Sequence, residues 1–414
     1  MGNSFARQFD KLSKMAEEKD WDSFGSTLSS MRSRYSKYTD AEKISFLWKE
    51  IEYAFAIDGL KSEKDPKHES DYGPIIKHYE TLLTLHQKMR ESQIREILNT
   101  LSELHMASGN FQKALDYHHE WLGMGVEVKP DKKFKIGQTH FFLEQYGRSL
   151  EWVEEAIADV KAAGQLPKER WYATQKFIYS EQKNSKKVAE ILEILVTHFP
   201  KKRYWQELGV VYQQDLERPL DALYIFDSLF MQDQLTKSTF LKALAYGYNS
   251  NGAPYQMAKV YEYGLEKGYL EETPKHLKDL FFTLQQAGER KKSISVLERY
   301  VKLSNNDAEM LNILAEEYIN SGAYQKAIDT ARKSQKAKDK ARKPGASHFQ
   351  EGVALFYLKK YSDSVKALQR AAKDPKVKGT ADPWIGYVKS RINELKSARE
   401  LEKQLREEIA KGVG

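Results

Sequence analysis

The residues best suited to chemistry in this chain are its histidines, and their spacing favours packing over catalysis. His118 and His119 form the only adjacent histidine pair. Neighbouring residues on a helix point about 100° apart, so the pair cannot share a metal ion without a third ligand from elsewhere in the chain. His140 lies in an aromatic stretch and is predicted to be a packing residue.

Catalytic motifs are absent from the sequence. There is no Gly-rich phosphate loop, no G-x-S-x-G and no H-E-x-x-H. The carboxylate pairs Glu154-Glu155 and Glu316-Glu317 are typical of an ordinary helix surface. The chain has no Cys, which excludes disulfides, cysteine-ligated zinc and thiol catalysis. We therefore predict a non-enzymatic protein with no catalytic residue, no cofactor and no metal site.

The strongest charge cluster lies at 332–343. Seven basic residues stand there against one acid: Arg332, Lys333, Lys336, Lys338, Lys340, Arg342 and Lys343. One interpretation is a solvated helix end, where basic side chains complement the helix dipole. The other is an anionic contact, either with phospholipid headgroups at a membrane surface or with an acidic partner tail. No aromatic residue interleaves the run and the formal net charge of the chain is only +7, so nucleic acid is not expected as a partner.

A repeated block indicates which elements position these residues. Residues 108–114 and 321–327 share the order small residue, Gly, turn residue, aromatic, Gln, Lys, Ala, and weaker copies stand at 144–149 and 359–364. The block predicts a turn between two antiparallel helices. Gly takes the left-handed conformation that ends the first helix, and Ala lets the second helix pack closely against its neighbour.

The first helix of each pair carries its own pattern. A large residue is followed at offsets three, four and seven by Leu, Gly or Ala, and Tyr, which share one helix face. The pattern occurs three times, as Trp205-Leu208-Gly209-Tyr212, Leu241-Leu244-Ala245-Tyr248 and Leu311-Leu314-Ala315-Tyr318. Pro200, Pro274 and Pro375 are predicted to lie near repeat junctions, where a helix must stop.

These blocks together resemble the tetratricopeptide repeat over about residues 95–375. The resemblance implies an all-α, right-handed superhelical solenoid of about nine to ten helix pairs. We divide the chain into degenerate N-terminal helical repeats at 1–94, the repeat array at 95–388 and a charged C-terminal helix at 389–414. This last helix is expected to cap the array, and its narrow apolar stripe leaves a coiled-coil dimer as the alternative.

In solenoids of this kind the first helices line a concave groove that takes an extended peptide or a partner helix. Aligning the chain on the Leu-Gly or Leu-Ala pair places nine polar residues toward that groove: Gln206, Gln213, Gln214, Lys242, Tyr246, Asn249, Asn312, Glu316 and Asn320. Amide and phenol groups there can hydrogen-bond a peptide backbone without demanding one sequence. The alternative is that they are solvated polar residues.

A narrower resemblance rests on 166–212, 258–268 and 370–375. These segments are similar to the periplasmic tetratricopeptide proteins encoded beside TonB–ExbB–ExbD-type systems in Gram-negative bacteria. The resemblance implies a protein-interaction scaffold of the cell envelope, a periplasmic adaptor with TonB/ExbB/ExbD-like motor components as partners.

The chain departs from that pattern in three places. Its N-terminus has no basic-then-apolar signal segment, the first ninety residues match poorly, and a charged helix follows the last repeat. A periplasmic location therefore implies that a signal peptide has been removed. The alternative is a cytoplasmic scaffold for an unrelated protein partner.

Overall fold

The computed structural model describes residues 2–65, 67–304, 307–337 and 341–412. These residues form α-helices and two short 3-10 helices, Tyr35–Lys37 and His86–Lys88, and contain no β-strand. The chain divides into two compact units, residues 1–200 and 201–414.

The first unit contains ten α-helices among its described residues. They are α1 Asn3–Glu17, α2 Trp21–Arg32, α3 Asp40–Lys64, α4 Gly73–Thr84, α5 Glu91–Ala107, α6 Phe111–Gly123, α7 Pro130–Phe142, α8 Tyr146–Ala162, α9 Glu169–Glu181 and α10 Ser185–His198. Consecutive helices pair as hairpins, beginning with α1 and α2.

The second unit continues the same order. Over the part of it that the structure describes, its helices are α11 Lys202–Gln214, α12 Pro219–Met231, α13 Ser238–Ser250, α14 Pro254–Glu266, α15 Pro274–Gln286, α16 Arg290–Leu303, α17 Ala308–Asn320, α18 Tyr324–Lys336, α19 Gly345–Tyr357, α20 Tyr361–Ala371 and α21 Pro375–Gly412. The described residues thus give ten pairs followed by one long helix. The predicted all-helical fold of tetratricopeptide-type helix pairs is confirmed.

The turn inside a pair has one recurring geometry. In nine of the described pairs a residue with positive φ follows the first helix: Lys19, Gly109, Glu144, Lys183, Glu217, Gly252, Gly288, Gly322 and Lys359. In eight of these turns the next N–H donates to the carbonyl five residues earlier, as from Asn110 to His105 and from Ala323 to Tyr318, each at 2.8 Å. After Glu217 the bond runs six residues back, from Arg218 to Tyr212. This bond satisfies a helix-end carbonyl and sends the chain back antiparallel.

Close packing inside a pair rests on small residues. Ala114 and Ala327, predicted to lie at the closest approach, are both fully buried. Gly209 fills the matching role on a first helix, since a Cβ there would lie 2.7 Å from the Phe226 ring. The helices of a pair therefore approach until backbone meets side chain.

Neighbouring pairs are joined by tyrosine–carboxylate hydrogen bonds. The hydroxyl of Tyr179 on α9 donates to Glu154 on α8 at 2.6 Å. Tyr318 on α17 donates in the same way to Glu298 on α16. Burial, then the bond to Glu154, raises the pKa of Tyr179 to about 12. Each bond ties the first helix of one pair to the second helix of the pair before it.

The irregular N-terminal region contains two pairs, α1–α2 and α3–α4. Leu12, Phe24 and Leu28 are buried at the centre of the first pair. The second pair begins with a capping box, in which the side chains of Thr39 and Glu42 each accept a hydrogen bond from the other's backbone N–H. The start of α3 is therefore set by a local capping sequence, although the repeat pattern is weak in this region.

The last helix begins earlier than the sequence indicated. It starts at Pro375, so 388/389 falls inside one helix. Val377, Ala381 and Val388 are buried against the last pair, whereas Leu401, Leu405 and Ile409 are 59%, 49% and 65% exposed. The first half of α21 therefore covers the final repeat, and its second half extends past it. None of the described helices is both long enough and apolar enough to span a membrane.

Replacing Ala327 with Leu tests the packing inside a pair. We expect Ala327→Leu to lower the free energy of unfolding by about 1–3 kcal/mol, because a fully buried position has no room for the added carbons. Urea unfolding followed by circular dichroism measures the change. Gln325→Leu, at an exposed site on the same helix, is the matched control and should change stability by less than about 0.5 kcal/mol. Equal stability of the two variants would contradict this packing.

Candidate protein-binding surface

The nine groove candidates all lie on three first helices of the second unit, α11, α13 and α17. Five are exposed: Gln214, Tyr246, Asn249, Glu316 and Asn320. Gln213 and Lys242 are half-buried. These seven present amide, phenol, ammonium and carboxylate groups at the surface of the first helices.

The other two candidates are buried, which corrects the expectation that they reach a groove. Asn312 is 6% exposed, and its Oδ1 accepts a hydrogen bond at 2.7 Å from Ser334 Oγ on α18. Asn312 is therefore used inside its own pair. Gln206 is 8% exposed, and its Nε2 lacks a hydrogen-bond partner in the described part of the chain. Tertiary neighbours that the repeat pattern does not encode cover both side chains.

Tyr246 is the largest exposed group among the candidates and lies on α13, next in the chain to α14. Burial raises the pKa of Tyr261 on α14, and a hydrogen bond with Tyr246 raises it further. The Tyr261 hydroxyl in turn lies 3.4 Å from Asp279 Oδ2 on α15. Tyr246 itself is 44% exposed, so its phenol is available to a ligand.

The basic run at 332–343 is only partly available to a ligand. Arg332 donates to the buried carboxylate of Glu351 at 2.8 Å, and Gln335 donates to the same carboxylate at 2.9 Å. His348, 4.0 Å from that carboxylate, and these two bonds lower the pKa of Glu351 to about 2. Arg332 therefore joins α18 to α19, which corrects its assignment as an anion contact.

The remaining six basic residues of the run divide into two groups. Lys333, Lys336, Arg342 and Lys343 are exposed. Lys338 and Lys340 lie outside the described residues. The backbone carbonyl of Arg342 accepts a hydrogen bond from Lys376 Nζ at 3.1 Å, so Arg342 is attached to α21.

Of the three histidines singled out in the sequence, His118 and His140 are buried packing residues, whereas His119 is exposed. His118 is fully buried, with its Nε2 3.2 Å from Thr139 Oγ1. Burial, with Lys132 adding, lowers the pKa of His118 to about 3. His140 Nδ1 lies 2.7 Å from Gln145 Oε1. Among the described residues no group of three or more His, Cys, Asp or Glu side chains could hold a metal ion.

Lys132 is a buried charge that the sequence reasoning missed. Its Nζ donates to Ser102 Oγ at 3.0 Å and lies 5.2 Å from the ring centroid of Trp121. Burial lowers the pKa of Lys132 to about 8. Ser102 is fully buried, so this Ser–Lys contact gives no substrate access to a nucleophile. The sequence did contain a sign of this burial. Lys132, Ile136 and Thr139 have the spacing that places all three on one helix face, and that face is buried.

No family model and no curated protein matches the sequence. Solved structures give distant likenesses. The structure of Naa15/Naa10 bound to HypK-THB is 13% identical with a TM-score of 0.42, and the alignment covers 94% of this chain and 65% of that one. The chain therefore spans less than two thirds of that relative's length.

Two shorter repeat proteins align over part of the chain. YrrB, described as a TPR protein with an unusual peptide-binding site, is 16% identical, covers 47% of this chain and 96% of its own, and has a TM-score of 0.34. A tetratricopeptide repeat protein from Parabacteroides merdae is 12% identical, covers 64% and 99%, and has a TM-score of 0.33. At these TM-scores the fold assignment rests on the helix pairs of this chain themselves.

The buried histidine predicts a loss of stability in acid. The pKa of His118 is about 3 in the folded chain and about 6.5 when unfolded. The unfolded state therefore binds more protons below pH 6.5, and stability falls as the pH is lowered toward 3. Between pH 7 and pH 5 we expect His118 alone to remove about 2 kcal/mol from the free energy of unfolding.

Urea unfolding at the two pH values measures this loss. His118→Gln should make the pH dependence shallower by about that amount, whereas His86→Gln, at an exposed histidine of the same unit, should leave it as in the parent chain. An unchanged pH dependence in His118→Gln would show that this histidine does not remain neutral in the fold.

Proposed function

We propose that this chain is a non-enzymatic scaffold that binds a protein partner along its first helices. The supporting observation is that the packing positions repeat while the surface positions between them vary. Leu208, Leu244 and Leu314 are buried at equivalent sites. The exposed side chain that follows Ala245 is Tyr246, and the one that follows Ala315 is Glu316. A regular framework thus displays different chemical groups at equivalent positions of α13 and α17.

Such a surface suits an extended peptide or a partner helix. Each first helix offers a few polar groups, and the order of these groups on successive first helices determines which ligand binds. Tyr246 supplies most of the contact area, because a half-exposed ring combines an apolar face with a hydrogen-bonding edge. Gln214, Asn249 and Asn320 supply groups that bond a peptide backbone.

We propose further that the partner is a TonB/ExbB/ExbD-like motor component and that the scaffold works in the periplasm as an adaptor of an envelope energy-transduction complex. The resemblance of 166–212, 258–268 and 370–375 to periplasmic proteins of such systems supports this assignment. Recovery of cytoplasmic partners alone, in the experiment below, would replace it with a cytoplasmic scaffold.

The experiment is affinity capture of partners from a Gram-negative envelope extract by the intact chain, followed by their identification and by affinity measurement with the purified partner. We expect inner-membrane motor proteins or a TonB-like protein to be retained. Combining Tyr246→Ala, Asn249→Ala and Glu316→Ala should weaken the affinity at least about tenfold, since a central aromatic contact alone contributes more than about 1.4 kcal/mol.

Tyr224→Ala is the matched control, because Tyr224 is 67% exposed on the second helix α12. It should leave the affinity within about twofold of the parent chain. If Tyr224→Ala weakens binding and the triple variant does not, the partner binds the second helices and the proposed surface is wrong. Circular dichroism of both variants confirms that each remains folded.

A further inference from the structure

A groove lies in the corner between the turn joining α19 to α20 and the second half of α21. The turn side is formed by 359–363 and the helix side by residues between Arg391 and Arg399. Its volume is about 600 Å³. We call it the corner groove. It lies at the far end of the second unit and shares no residue with the first-helix surface.

The lining of the corner groove is strongly basic. It carries five cations, namely Lys359, Lys360, Arg391, Lys396 and Arg399, and one carboxylate, Asp363. Asp363 already faces Lys366 Nζ at 3.4 Å. Arg391 pairs at 2.9 Å with Glu394, its neighbour on α21. Four cations therefore face the groove without an ion-pair partner in the described part of the chain.

The floor of the corner groove is apolar. Tyr361, Ile392 and Leu395 line it and are half-buried. The ring of Tyr361 packs on Phe356 with centroids 5.5 Å apart, which fixes its position. A ligand that covers these three side chains removes apolar surface from water, and the parts of it at the edge of the groove lie next to the cations.

We propose that the corner groove binds an acidic amphipathic helix of a partner protein. Its apolar side chains cover Tyr361, Ile392 and Leu395, and its carboxylates face Lys359, Lys360, Lys396 and Arg399. This inference rests on the proposed scaffold function and adds a second binding surface with a defined partner chemistry. The charge complementarity selects the partner, because Lys359, Lys360, Lys396 and Arg399 have no carboxylate paired with them among the residues that the structure describes.

The geometry favours a helix over a membrane or a nucleic acid. The apolar floor lies in a concave corner, which a flat bilayer surface does not enter, whereas a helix about 10 Å across does. Nucleic-acid surfaces combine cations with exposed rings that stack on bases. Among the described residues the ring that lines this groove, Tyr361, is half-buried and contacts Phe356, so the groove offers no row of exposed rings for bases to stack on.

Two synthetic helical peptides of about 18 residues provide the test. They have the same leucine stripe, with Glu at the other positions in one and Lys in the other. Fluorescence anisotropy with the full chain should show binding of the Glu peptide at least about tenfold tighter than of the Lys peptide, weakening as salt is added. Absence of binding by the Glu peptide, or equal binding of the two, overturns the proposal.

Variants then locate the site. Lys396→Glu combined with Arg399→Glu should weaken Glu-peptide binding at least about tenfold. Lys378→Glu combined with Lys411→Glu makes the same change of charge on α21 outside the groove and should leave binding within about twofold. Lys359→Gly removes another groove cation at a position with φ of +62°, where Gly is better tolerated than Lys, so its loss of binding cannot come from misfolding.

The failure of this inference is distinguishable from that of the proposed function. If the first-helix triple variant loses the Glu peptide and the corner-groove variants keep it, the scaffold function stands and this inference is wrong. If vesicles of phosphatidylcholine and phosphatidylserine bind the chain through the same cations while the Glu peptide does not bind, the corner groove is a membrane contact. Peptide binding lost only in the corner-groove variants supports the proposal.

Discussion

The left-handed residue that follows the first helix in nine of the ten described pairs is the constraint on which the rest of the structure depends. One residue at positive φ, followed by an N–H that bonds five or six residues back, reverses the chain within two or three positions. A reversal this short packs the second helix of a pair against the first. Small residues such as Ala327 and Gly209 are then required at the contact, and the remaining apolar face is buried only when the next pair packs on it.

Most of the fold could be predicted from the sequence because that constraint is local. The order of small residue, Gly and aromatic marks the turns at Gly109 and Gly322. The weaker copies are equally real, since Glu144 and Lys359 hold the same positive φ without the glycine signature. What the pattern did not give is the start of α21 at Pro375, because the helix continues without a break from the part that packs to the part that does not.

The candidate surface could be predicted less well, because burial of a polar residue depends on partners distant in sequence. The repeat register predicts that Asn312 faces the groove, but Ser334 on the next helix donates a hydrogen bond to it. The charge run predicts that Arg332 is free to bind an anion, but it donates to Glu351 on the helix that follows its own. Lys132 meets Ser102, thirty residues away. In each case helix periodicity predicts which face of its own helix the residue lies on. It does not predict which residue of another helix packs against that face.

The second half of α21 has a thermodynamic consequence of its own. From Lys396 to Gly412 the helix would extend about 25 Å at 1.5 Å per residue, and Leu401, Leu405 and Ile409 on it are largely exposed. Isolated helices of this length are marginally stable in water, so local ion pairs such as Arg406–Glu402 are what remains to hold it. This segment can unwind without disturbing the helix pairs, which makes it the region where hydrogen exchange and proteolytic cleavage should be fastest in the absence of a partner.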